Sequence, residues 1–154
     1  MKIRKFQKND MDEVASLAMR TFSKYNKADY FKKEAINDMM DRFNPRKNPH
    51  LAQDFQKTPI FYVAEENNKI IGMVRGRIGK LTTLFVEGKQ HKKGIGRKLV
   101  ERFEREAKRQ GSKKIKINAS LHAIPFYQKM GYKKSTGMRN FKGLKVYPMK
   151  KILD

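Results

Sequence analysis

The stretch "FVEGKQHKKGIGRKLVERFEREAKR", Phe85 to Arg109, sets Gly94 and Gly96 among Lys92, Lys93, Arg97 and Lys98, directly before a helical pattern. Backbone N–H groups in the first turn of a helix lack intrahelical partners and lie at the positive end of the helix dipole, so they can hold a phosphate. Glycine at these two positions lets a pyrophosphate approach the main chain with no Cβ in the way. The plain alternative is an ordinary helix start decorated with solvated lysines. Two nucleotide-loop templates fail here. Walker A needs G-x-x-x-x-G-K-[ST], but Gly94 is followed by Ile95 and Lys89 stands where the first glycine belongs. The dinucleotide fingerprint G-x-G-x-x-G fails at Leu99, the third glycine position. What remains is a strand ending at Val86, a polar loop with two glycines, and a helix starting at the second.

Other chemistries are narrowed by composition. Cysteine is absent, which excludes disulfides, thiolate catalysis and cysteine-ligated metals. His50, His91 and His122 are far apart and none belongs to an HExxH pattern, so no metal site is expected. The net charge of +22 over 154 residues calls for an anionic partner or ligand, or else reflects lysine-rich usage. Hydrophobic residues at 38% suffice for a core, and the length fits one domain over residues 1–154. No apolar run reaches the ~18 residues of a membrane span, and the start "MKIRKFQKND" has no apolar leader segment, so the expected location is the cytoplasm.

The elements that would position these groups follow from periodicity. "KIRKF" reads as a short strand, and Met11, Val14, Ala15, Ala18, Met19 and Phe22 recur at helical spacing up to about Ser23. A second helix is expected from Asp29 to Phe43, stopped by Asn44-Pro45. Asn44 to Pro59 holds three of the five prolines and reads as a polar loop. A hairpin follows, Ile60–Glu66 and Ile70–Ile78 around Asn67-Asn68, then a third strand of this meander, Lys80–Val86. The helix after Gly94 carries Ile95, Leu99, Val100, Phe103 and Ala107 on one face, and Gly111 is placed to end it. Lys113–Asn118 alternates as a strand, His122–Met130 reads as a helix ended by Gly131, and "YKKS" and "LKVYPMKKI" supply two last strands. Pro125 fits that helix if its regular part begins near Ile124, with Ser120 capping a preliminary turn. The sum is α+β with one central sheet.

Two segments in this order resemble the GNAT superfamily of N-acetyltransferases. "LFVEGKQHKKGIGRKL" is similar to that family's [Q/R]-x-x-G-x-[G/A] acyl-CoA motif after the fourth strand, and "INASLHAIPFYQKMGYKK" to its later strand asparagine and FY-x-K-x-G-[FY] helix. The family's Gln or Arg position is His91 here, with Gln90 one place early. The resemblance covers essentially the whole chain and implies a mixed sheet of about 6–7 strands flanked by about four helices, with strands 4 and 5 splayed. It implies acetyl-CoA as cosubstrate, with no metal. Phe85 and Val86 would pair with the pantetheine arm as an added strand. His91, Lys92, Lys93, Gly94, Ile95, Gly96 and Arg97 would take the pyrophosphate, and Asn118 would contact the pantetheine or the helix cap. Tyr127 would protonate the departing thiolate; on the residues alone, "FY" reads instead as a core aromatic pair.

The implied activity is transfer of acetyl to a primary amine of a small molecule or peptide in a ternary complex. The general base stays open among Glu65, Glu66 and Glu87 acting through water, Thr82 and Thr83 on the fourth strand, and Tyr30. The positive charge favours an amino acid, an acidic small molecule or an acidic protein over polycationic amines as acceptor. The alternative is a nucleic-acid-binding or CoA-sensing module without catalysis on the same fold. Aromatic residues are not interleaved with the basic run, which counts against nucleic acid. The expected assembly is a monomer or homodimer, with no membrane partner.

Overall fold

The computed structural model of the chain describes residues 1–25, 30, 32–88 and 93–154. Its strands are β1 (Lys2–Lys5), β2 (Ile60–Glu66), β3 (Lys69–Arg77), β4 (Lys80–Val86), β5 (Lys114–Ala119), β6 (Lys133–Lys134), β7 (Arg139–Phe141) and β8 (Leu144–Ile152). Its α-helices are α1 (Met11–Tyr25), α2 (Glu34–Arg42), α3 (Leu51–Lys57), α4 (Ile95–Arg109) and α5 (Ile124–Lys129). The strands form a mixed sheet in the order β1-β2-β3-β4-β5-β8-β6, with β7 also paired to β8.

Local chemistry explains the meander that builds one half of this sheet. Asn67 and Asn68 both take positive φ, 51° and 62°, the type I′ geometry that matches the twist of the flanking strands and closes the β2–β3 hairpin. β4 then pairs antiparallel with β3, with a register shift between Arg75 and Gly76. Gly76 is required there because a Cβ would collide with the Lys80 carbonyl and meet the Phe103 ring at 2.9 Å.

One junction departs from antiparallel pairing. β4 and β5 run parallel and share a single register pair, Lys80 with Lys116, reinforced by the Lys116 amide donating to the Gly79 carbonyl at 2.9 Å. Beyond that pair the two strands separate, as the splayed arrangement requires. β5 resumes full pairing on its other side with β8.

The two faces of the sheet are covered by different helices. Val14, Leu17 and Ala18 of α1 and Leu51 and Phe55 of α3 pack with Phe61, Val63 and Met73. On the opposite face α4 presents Leu99, Val100, Phe103 and Ala107, each 0% exposed, to Tyr62, Val74, Ile115 and Ile117. Burial of one such Phe or Leu contributes about 1.5–3 kcal/mol, so α4 is held far more by its apolar stripe than by helix propensity.

Three differences from the expected elements have physical causes. The proline-rich segment after Asn44 contains α3, because Leu51 and Phe55 lie one turn apart and bury to 4% and 1% exposure. Asn44 and Asn48 organise its approach, accepting from the Arg46 and His50 amides at 3.0 and 3.1 Å. β7 is a short exposed strand joined to β8 by a turn in which Asn140 accepts from the Gly143 amide at 2.7 Å. α2 begins at Glu34 and Phe43 caps it; Asp29 and Phe31, expected in that helix, lie outside the described residues. Among the described residues the sheet thus has eight strands and the chain five α-helices, against the expected about 6–7 and about four.

Candidate functional site

The separation of β4 from β5 opens a cleft of about 1000 Å3. Phe85 and Val86 line it from β4, and Ile117, Asn118 and Ala119 from β5. Gly94, Ile95, Gly96 and Arg97 close one end, and Tyr127 enters from α5. Of the expected site residues, these eight (Phe85, Val86, Gly94, Ile95, Gly96, Arg97, Asn118 and Tyr127) all line this one cleft. Lys93 is exposed and not in its wall. His91 and Lys92 lie outside the described residues.

The α4 end is built for close approach. Gly94 is the N-cap residue with φ 77°, a left-handed conformation that disfavours any residue with a Cβ, and its carbonyl accepts from the Lys98 amide at 3.1 Å. The first-turn amides of α4 therefore remain without intrahelical partners at the positive end of a 15-residue helix. A Cβ on Gly96 would lie 3.4 Å from the Phe126 ring and 3.6 Å from Val86 Cγ2, so the helix start, α5 and β4 meet tightly. Arg97 is exposed and pairs with Glu101 one turn along, at 3.1 Å.

Tyr127 is fixed by the end of its own helix. Gly131, at φ 95°, turns the chain so that the Tyr132 amide donates to the Tyr127 carbonyl at 3.0 Å and the Gly131 amide to Gln128 at 3.0 Å. The Tyr127 ring packs edge-to-face on Phe126 and Tyr132, with centroids 5.1 and 5.5 Å away. At 5% exposure, burial pushes its phenol above the ordinary tyrosine value. Its hydroxyl has no hydrogen-bond partner among the described residues, although its neighbour's does: Tyr132 donates to Glu104 at 2.8 Å, and Glu104 also holds Lys151 at 3.0 Å. An orphaned buried hydroxyl costs about 1–3 kcal/mol, and Tyr127 is one of the residues that line the cleft.

The rest of the cleft lies under α1, α2 and α3. Thr83 and Arg75 are cross-strand partners on its wall. The Arg75 guanidinium lies 4.7 Å from the Phe55 ring centroid and donates to Thr58 Oγ1 at 2.8 Å; burial lowers its pKa, and it forms no ion pair among the described residues. Asp54, exposed on α3, is the one carboxylate among the described lining residues. It was missed because its helix reads as loop. Glu65 is held by Arg4 at 2.7 Å and Glu87 by Arg20 at 2.6 Å, and neither lines the cleft. Glu66 and Tyr30 do not line it either, and Tyr30 bridges to Leu144. Ser120 flanks the turn before α5 as expected but gives it no side-chain cap.

Among the described residues no group of three or more His, Asp or Glu could hold a metal, and no helix is long and apolar enough to cross a membrane.

Comparison with known proteins agrees with this architecture. Structures similar to the chain include a GCN5-related N-acetyltransferase of Rhodopseudomonas palustris, with TM-score 0.84 and 18% identity over 99% of this chain and 95% of that one. The PaiA N-acetyltransferase of Thermoplasma acidophilum, in complex with coenzyme A, matches at TM-score 0.76 and 20% identity over 99% and 98%. At these identities the likeness is one of fold. A curated Bacillus subtilis (strain 168) protein named as an acetyltransferase is 33% identical over 75 residues, 46% of this chain and 51% of that protein. The chain thus matches about half the length of that curated relative. The model of the acetyltransferase (GNAT) domain matches residues 17–153, nearly the whole chain, and the protein belongs to the GNAT acetyltransferase family.

Proposed function

We propose that the protein transfers the acetyl group of acetyl-CoA to a primary amine of a small molecule or peptide, by direct attack in a ternary complex. The observation that carries this reading is that buried Tyr127, whose hydroxyl has no partner among the described residues, lines the same cleft as the first turn of α4. Related folds bound to coenzyme A or acetyl-CoA, from Thermoplasma acidophilum and Salmonella typhimurium, support the choice of cosubstrate. The α4 amides between Gly94 and Arg97 hold the pyrophosphate. The edge of β4 at Phe85 and Val86, facing away from β3, takes the pantetheine arm as a strand would, and Asn118 contacts it from β5.

Bound acetyl-CoA supplies a thioester whose carbonyl carbon is attacked by the neutral amine nitrogen. A C–N bond forms, the C–S bond breaks, and the sulfur leaves as thiolate. Tyr127, kept protonated by burial, donates its proton to that sulfur. The proton shed by the amine departs through water past Asp54, and a solvent proton restores the phenol. Asp54 also attracts the ammonium form of the incoming acceptor, while Thr83 and Arg75 shape the wall it enters along.

Thermal unfolding with saturating acetyl-CoA, paired with CoA release across amino acids, amines and peptides, tests the reading. Stabilisation of ~2.7 kcal/mol at a hundredfold excess over Kd is expected, with release of CoA by at least one amine. Stabilisation without release by any acceptor would favour a CoA-sensing module. Neither effect, with steeply salt-dependent binding to duplex or tRNA, would favour a nucleic-acid module.

A further inference from the structure

Four lysines stand in direct register across four adjacent strands. Lys80 of β4 pairs with Lys116 of β5, Lys116 with Lys150 of β8, and Lys150 with Lys133 of β6. Cross-strand partners point to the same face, so these four ammonium groups form one rank. With strands ~4.8 Å apart, it runs roughly 14 Å. Lys116, Lys133 and Lys150 are exposed, and Lys80 is half-buried where it lines the cleft. The rank lies on the face opposite α4, since Ile115 and Ile117, which alternate with Lys116, pack with α4 on the other side. None of the four forms an ion pair among the described residues.

Like charges directly opposite one another destabilise a sheet. A row of four therefore costs stability in the free protein and is relieved by an anion laid along it. The cofactor's phosphates do not serve. Lys80 is six residues along β4 from Val86, roughly 20 Å at the rise of a strand, while the α4 amides meet β4 at the Val86 end.

Resting on the acetyltransferase reading above, we infer that the amine acceptor is a polypeptide whose acidic segment docks across Lys80, Lys116, Lys150 and Lys133 and so feeds its amine into the cleft. Lys80 belongs to both surfaces, which makes the rank continuous with the acceptor half of the cleft. An acidic polypeptide is chosen over a nucleic acid by chemistry. An aliphatic amine is a far stronger nucleophile toward a thioester than the delocalised amino group of a base, and an acidic polypeptide carries one at its N-terminus or lysines while an unmodified nucleic acid does not.

The test uses two peptides of equal length with one reactive α-amine, one carrying four acidic residues and the other four glutamines. The full-length protein is compared with the variant Lys116→Gln/Lys133→Gln/Lys150→Gln and with Lys2→Gln/Lys57→Gln/Lys69→Gln, which removes the same charge elsewhere. The acidic peptide is expected to have the lower KM. That advantage should fall roughly tenfold in the first variant, as three exposed ion pairs imply, with kcat unchanged, and persist in the second. Equal KM values for the two peptides in the unaltered protein would overturn the proposal. So would an equal loss in both variants, or duplex or tRNA binding that vanishes in the first variant while the acidic peptide shows no advantage. Should neither peptide release CoA, the polypeptide acceptor is overturned, while transfer itself stands or falls on CoA release by the other amines. Fluorescence anisotropy of the labelled acidic peptide then decides the docking surface alone, which requires binding that weakens roughly tenfold in the first variant only.

Discussion

Replacing Tyr127 by Phe separates chemistry from structure unusually well in this fold. The substitution removes only the hydroxyl, and that hydroxyl has no partner among the described residues while the ring sits at 5% exposure between Phe126 and Tyr132. No native hydrogen bond is lost, and a desolvation cost of about 1–3 kcal/mol is relieved. Apparent stability should therefore hold or rise, by up to ~4 °C in Tm per kcal/mol for a chain of this size. Loss of a positioned general acid lowers the rate 10²–10⁴-fold, equivalent to about 2.7–5.4 kcal/mol of barrier. The assay is single-turnover CoA release at saturating amine, with acetyl-CoA affinity measured in parallel by calorimetry. Because burial raises the phenol, the acid stays protonated through pH 6–9, and the residual rate of the variant should show no new ionisation in that window. The sign for stability follows from the same shift. A folded value above the unfolded value of about 10 means the folded state keeps its proton longer, so stability is full below pH 10 and falls as pH rises beyond it. The variant should lose less stability than the parent between pH 10 and 11.5. A kcat within threefold of the parent, with cofactor affinity intact, would refute Tyr127 as the acid; loss of rate and affinity together would make it a packing residue instead.

Three further outcomes follow from specific contacts. Gly94→Ala forces a Cβ into left-handed backbone and should cost about 1–2 kcal/mol, read as a Tm drop of ~2–8 °C, with weaker acetyl-CoA binding by calorimetry. Asp54→Asn removes the one carboxylate among the described lining residues and should raise KM for the amine severalfold without changing acetyl-CoA affinity. Arg4→Met leaves Asp10 buried without its guanidinium. Burial alone would raise that carboxyl, but the Arg4 bonds at 2.8 and 2.9 Å and the Gln7 amide hold it below its ordinary value of 3.8. The variant should lose about 1–3 kcal/mol in urea titration at neutral pH, and the loss should shrink as pH falls below about 4, where Asp10 takes up a proton.

The half of the cleft proposed for the cofactor was legible as structure because its elements are local, while the roles proposed for its residues rest on the family resemblance. Gly94 and Gly96 next to an amphipathic helix, Asn118 on an alternating strand, and Tyr127 before a terminating glycine are all set by spacing within one segment. The acceptor half was not, because it assembles from parts remote in sequence. Asp54 belongs to a seven-residue helix flanked by Pro49 and Pro59, whose only apolar pair is Leu51 and Phe55, too short a stripe to stand out against a polar, proline-rich run. Arg75 looks like one more basic residue until β2, β3 and α3 enclose it. Glu65 and Glu87 read as possible bases through water, yet their arginine partners, Arg4 and Arg20, come from the first twenty residues of the chain. β7 escaped notice because all three of its residues are exposed and carry no alternation to read. The lysine rank is likewise invisible without register, since its four members come from four separate strands.

The divergence of β4 from β5 also bears on edge-to-edge pairing between sheets. An unpaired strand edge is a template for any other strand and a common start of aggregation. From Leu81 onward no β5 residue stands opposite β4, yet that edge is recessed in a wedge whose other wall is β5, with α5 beside it. On the proposed reading, the recess leaves that edge to one slender ligand, the pantetheine arm.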